Sequence, residues 1–223
     1  DLDLSVDGLR LGDDDLGRVV VDATVANQQA KLNASAERFR AEANVVMGVA
    51  RPYPATLEAL VNDLDLALLP IKLETPFGGQ LRARMNASGE LARPESARAD
   101  LTVDAFSGTW DDQPFGIDGP AVLRYADERL AIDRLRLTAQ DSTVSVSGML
   151  PWTDRAGQGA LDIDARANLA TLAQYAPAGT RVSSNGAVSL TGTIRGTLRA
   201  MDPDVVLTVD DALILFPNIA PGI

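Results

Sequence analysis

Apolar residues recur at every second position along almost the whole of this 223-residue chain. In NGAVSLTGTIRGTL, residues 185–198, Val188, Leu190, Gly192, Ile194, Gly196 and Leu198 share one parity. Ser189, Thr191, Thr193, Arg195 and Thr197 share the other. A β-strand points successive side chains to opposite faces, so this stretch reads as a strand with one oily and one wet face. The same pattern returns in Leu81, Ala83, Met85, in Leu101, Val103, Ala105, and in Leu161, Ile163, Ala165. Parity slips near Asp133, between Leu130, Ile132 and Leu135, Leu137, which predicts a β-bulge.

Polar stretches that carry Gly, Asn or Asp, such as ANQQ, YADER and AQDST, separate the runs. A spacing of roughly ten residues predicts antiparallel meanders and about fifteen strands. Two stretches carry helical spacing instead. Leu57, Leu60 and Val61 predict a short helix near 54–62, and Leu169, Leu172 and Ala176 another near 168–176, ended by Pro177. GELARP, GMLPW and GTLRAMDP are loosely alike. The chain therefore reads as one continuous repeat-like segment, 1–223, with loose breaks near 89 and 148–157. Residue 1 already lies in an alternating run, DLDLSV, so a segment cut from a longer protein is expected, with a sheet edge left sticky.

Composition narrows the function. Net charge is −11, and the basic residues form no cluster, which argues against nucleic acid as a partner. There is no histidine and no cysteine. The usual general base, the Ser-His-Asp triad and thiolate chemistry are therefore missing, and the expectation is a protein that is not an enzyme and takes no cofactor. Asp13, Asp14 and Asp15 lack the alternating ligand order of a calcium loop and read as a solvated turn. Asp104, Asp118, Asp162 and Asp164 lie on the polar parity or in turns, with no sign of the desolvated acid that glycoside hydrolysis needs. GTIRG matches a membrane-helix motif, but its Ser, Thr and Arg neighbours point instead to glycines at a bend or bulge.

The aliphatic face carries the functional content. Hydrophobic residues make up 46% of the chain, but aromatics only 4%. Two readings fit: an ordinary sandwich in which two such faces bury each other, or a curved sheet whose oily face stays open and holds acyl chains. A dry core needs large side chains to fill its volume, so the scarcity of aromatics favours the open groove. The expected fold is all-β: an elongated, twisted, mainly antiparallel sheet curled into an open hydrophobic groove. Leu81, Ala83, Met85, Leu101, Val103, Leu161, Ile163, Val188, Leu190, Ile194 and Leu198 are expected to line it.

The alternating runs, the Gly-x-Leu steps and NLATLAQYAP followed by GAVSLTGTIRGTLRAMDPDVVLTVDDALI resemble the TamB/AsmA-like superfamily. The specific matches fall at Asn168 through Pro177 and Gly186 through Ile214. The Gly that usually follows the last Pro is absent, since Asp202-Pro203-Asp204 runs straight on. The resemblance implies a periplasmic β-taco, anchored in the inner membrane through a segment not present in this chain. It also implies phospholipid transport between membranes and support of outer-membrane protein assembly. The implied partners are phospholipid acyl chains, an outer-membrane barrel of the Omp85 family and unfolded outer-membrane protein strands. No catalytic residue is implied.

Overall fold

The computed structural model describes residues 2–11, 14–68, 77–110, 113–170 and 183–215. Among these residues fourteen strands form a single sheet. They are β1 (Leu2–Leu11), β2 (Asp14–Ala26), β3 (Gln29–Ala36), β4 (Ala41–Gly48), β5 (Pro54–Asp65), β6 (Phe77–Glu90) and β7 (Arg93–Trp110). There follow β8 (Gln113–Ile117), β9 (Ala121–Ala126), β10 (Arg129–Ala139), β11 (Ser142–Pro151), β12 (Gly159–Asn168), β13 (Ser183–Thr197) and β14 (Ala200–Leu215). Every pairing is antiparallel, and each strand lies beside the one that precedes it, except around β8 and β9. Those two short strands fill one rung between β7 and β10, broken at Asp118-Gly119-Pro120. Proline cannot donate to a ladder, which accounts for the interruption there.

The turns follow their chemistry. Asn27-Gln28 and Asp127-Glu128 both adopt left-handed backbone at paired positions, the geometry of a tight hairpin whose twist matches its strands. The bulge expected near Asp133 is present, as a register shift between Ile132 and Leu135. A second bulge at Asp104 was not legible: Ala83 pairs with Val103 but Arg82 with Ala105. Ala105 is thereby turned outward, and Phe106 takes the inward place opposite Leu81.

The helix expected near 54–62 is not formed; those residues are β5. PATLEALVND satisfies two periods at once. Ala55, Leu57, Ala59 and Val61 also share a strand parity, and β4 and β6 offer ladders on both sides. Tertiary pairing overrides local propensity here, and Leu60 consequently faces outward and is exposed. The second expected helix, 168–176, lies outside the described residues beyond Ala170. At Gly89 the ladder with β5 continues to Pro54 and Glu90, while the register with β7 shifts between Ser88 and Glu90. Across 148–157 the connector from β11 to β12 holds only a short 3-10 turn, Asp154–Ala156.

Glycines permit the closest approaches between strands. A Cβ on Gly148 would stand 2.4 Å from the Ala160 carbonyl oxygen, and one on Gly192 would stand 2.2 Å from that of Asp204. Beyond the first residue of β12 the flanking chains meet directly, and Leu198 N, just past β13, donates to Pro151 O at the end of β11 at 2.9 Å.

An aliphatic trough as the candidate functional site

Directly opposed residues in an antiparallel pair share a face. The register can therefore be followed from strand to strand. One row runs Leu4, Val21, Ala34, Ala43, Ala59, Met85, Leu101, Leu123, Ile132, Gly148, Leu161, Ile194, Pro203. It crosses all thirteen rungs without one polar side chain. At about 4.8 Å per rung the row is roughly 60 Å long. The adjacent row on the other face is mostly polar, including Asp22, Asn33, Asn44, Glu58, Asn86, Asp100, Arg124, Arg195 and Asp202.

The two faces divide their chemistry accordingly. Ion pairs sit on or beside the wet face: Arg82 with Asp63 at 2.6 Å, Arg84 with Asp104 at 3.1 Å, Arg195 with Asp204 at 2.9 Å, and Arg124 with Asp133. All are solvent-exposed in part and each is worth at most about 1 kcal/mol. Their larger effect is to keep that face wet.

No second layer of described residues closes over the oily face. Among the described residues only Leu64, Leu66, Ala83, Ala121, Leu150 and Pro151 are buried apolar side chains. The chain exposes 14797 Å², whereas a compact protein of this mass exposes about 9,800 Å². A sandwich would bury most of both inner faces. Here most inner residues of the described strands remain only half-buried. Two apolar hollows of about 370 Å³ each mark this face. One is bounded by Val45, Leu57, Ala87, Leu91 and Ala99, the other by Phe115, Leu137, Ala139 and Val144.

Of the residues expected to line a groove, Leu81, Ala83, Met85, Leu101, Val103, Leu161, Ile163, Val188, Leu190 and Ile194 fall on this one face. Leu198 does not stand in the wall: β13 ends at Thr197, and Leu198 is half buried in the following turn. Sequence reasoning missed Leu123, Tyr125, Leu130, Val144 and Val146 as members of the same wall, although their parity was visible. It also missed Phe106, whose place depends on the bulge.

No group of acidic side chains is arranged to hold a metal ion among the described residues. No helix there is long and apolar enough to cross a membrane. No family model, curated protein or solved structure matches the chain.

Proposed function

We propose that this segment holds the acyl chains of phospholipid along its trough and serves as part of a bridge that carries lipid across an aqueous gap. The carrying observation is the polar-free row across thirteen rungs on a face that no second layer of described residues covers. Burial of an acyl chain stabilises it by about 0.8 kcal/mol per CH₂. A wall of similar small aliphatics gives each position similar affinity, so a lipid slides without a deep trap. By the resemblance, the gap is the periplasm, and the same segment supports outer-membrane protein assembly with a barrel partner of the Omp85 family.

A second reading has one observation in its favour. β14 is the last rung of the ladder, and Val205, Val206, Leu207 and Val209 on it are exposed. Such an edge accepts an added strand by main-chain pairing, which suits an unfolded outer-membrane protein strand.

A photo-crosslinking residue placed at Leu190, on the oily face, or at Thr191, on the wet face, separates the readings in cells. Lipid adducts at 190 and none at 191 support the trough. Protein adducts at 190 favour the client strand. No adduct at either position in a folded protein refutes both and leaves a structural role.

A further inference from the structure

The ladder between β6 and β7 carries a bulge near one end. Glu90 pairs with Arg93 and Ser88 with Arg98, so Gly89 alone stands opposite residues 94–97. Ser96 pins the bulge: its hydroxyl donates to Arg93 O at 2.7 Å and accepts from Glu90 N at 2.8 Å. Gly89 permits the close packing, since a Cβ there would stand 3.1 Å from the Ala97 Cα. Such bulges forfeit ladder bonds, re-aim the side chains around them and recur beside functional sites. This one adjoins a hollow on each face of the sheet. On the oily face a hollow of about 370 Å³ is bounded by Leu57, Ala87, Leu91, Pro94, Ala97 and Ala99. On the wet face one of about 540 Å³ is bounded by Gln29, Thr56, Ser88, Ser96, Arg98 and Asp127. Ala55, Gly89 and Glu90 border both, so the two hollows adjoin at the end of β6.

The wet hollow gathers groups of both signs. The register sets Thr56 opposite Ser88 and Ser88 opposite Arg98, so two hydroxyls and a guanidinium stand in line across β5, β6 and β7. Asp127, in the hairpin between β9 and β10, ends the line 3.9 Å from the Arg98 guanidinium. That pair is loose, with side chains 68% and 80% exposed. Glu90, at the border, is already held by Arg93. A guanidinium flanked by hydroxyls suits a phosphodiester, and a carboxylate beside it suits an ammonium carried two carbons further on. A head group with negative charge alone would meet Asp127 as a like charge.

From this we infer that the notch at Gly89 is a docking station for a phospholipid with a zwitterionic aminoethyl phosphate head. Its phosphate sits on Arg98 with the Ser88 and Thr56 hydroxyls, and its ammonium on Asp127. Its acyl chains start in the oily hollow and run on along the wall. The inference rests on the acyl-chain reading proposed above. It adds the class of head group and one fixed stop on an otherwise uniform wall.

The test uses phosphatidylethanolamine with a photoreactive group early in one acyl chain, with adducts on the purified protein mapped by mass spectrometry. Peptides carrying Leu57, Ala87 and Ala99 are expected to hold them. Unlabelled phosphatidylethanolamine and phosphatidylglycerol of the same acyl composition then compete with the probe, and the first should compete about threefold better. Asp127→Asn should remove that preference by weakening phosphatidylethanolamine alone. Arg98→Gln should weaken both lipids about threefold. Arg166→Gln is the control: it removes another exposed guanidinium of the wet face, paired with Asp164 at 3.7 Å, and should change neither. All three side chains are exposed, so circular dichroism should match that of the parent. Equal competition by the two lipids, the same response to Arg166→Gln as to Arg98→Gln, or adducts confined to other parts of the oily face overturns the notch. Absence of adducts from the whole oily face overturns the acyl-chain reading itself, and the notch with it.

Discussion

Replacing Gly192 by alanine should loosen the last strand of the sheet and leave the rest intact. The new Cβ would stand 2.2 Å from the Asp204 carbonyl oxygen and 2.6 Å from the Val205 Cα, both backbone atoms of β14. Ordinary contact needs about 3.5 Å, so β14 must retreat by roughly 1 Å. Ladder bonds of about 2.9 Å are stretched past their useful range by such a shift. Two lost bonds cost about 1 kcal/mol each, and residual crowding adds about 1 kcal/mol more. The total of about 3 kcal/mol raises the local opening equilibrium roughly 100-fold. Because each strand touches only its neighbours, the damage should stay local, as in repeat proteins. Hydrogen–deuterium exchange of peptides spanning 200–211 should accelerate by that factor, while peptides from β5 to β7 keep their protection. Gly78→Ala is the matched control: its Cβ would meet nothing nearer than the Thr109 hydroxyl at 3.6 Å. Equal acceleration in both variants, or global loss of protection in Gly192→Ala, would refute the close-approach argument.

Other outcomes follow from the same geometry. Leu150→Ala removes a side chain with 0% exposure and should cost about 2–4 kcal/mol in urea unfolding, whereas Leu161→Ala, half exposed on the trough wall, should cost about 1 kcal/mol. Met85→Glu puts a charge in the polar-free row; lipid retained on the purified protein, read by mass spectrometry, should drop at least about threefold with circular dichroism unchanged, since the group stays hydrated when the trough is empty. Small-angle scattering should give a radius of gyration near ~20 Å from a sheet roughly 60 Å long, where a compact globule of 223 residues would give ~17 Å. Arg195→Glu breaks an exposed pair with Asp204 and should shift stability by at most about 1 kcal/mol in urea unfolding, a shift that shrinks on adding salt.

Much of the wall was legible before any coordinates, because strand parity is a local property. Val188, Leu190 and Ile194 must share a face if the segment is extended, whatever lies beside it. The turn at Asn27-Gln28 and the slip at Asp133 are equally local, since backbone preference and parity both act over a few residues. Residues 54–62 were not legible, because their apolar spacing satisfies a helix and a strand alike. Only the waiting ladders of β4 and β6 choose between them. The exchange of Ala105 for Phe106 likewise needs the register against β6, which no single strand contains.

The chain's own alternation settled that this protein is built of two-faced strands and which residues travel together, for that depends on one dihedral repeat. Three things were left to the tertiary structure. The register joined short apolar runs into one row across thirteen rungs. No layer of described residues covers that row, which leaves it only half-buried. The up-and-down path gathered Val25, Val49, Leu91, Trp152 and Met201, far apart in sequence, onto the side of the sheet that carries the turns at 27–28, 49–53, 91–92, 152–158 and 198–199. Each of these depends on how distant segments pair, and hydrophobic burial rewards any pairing that keeps the parity.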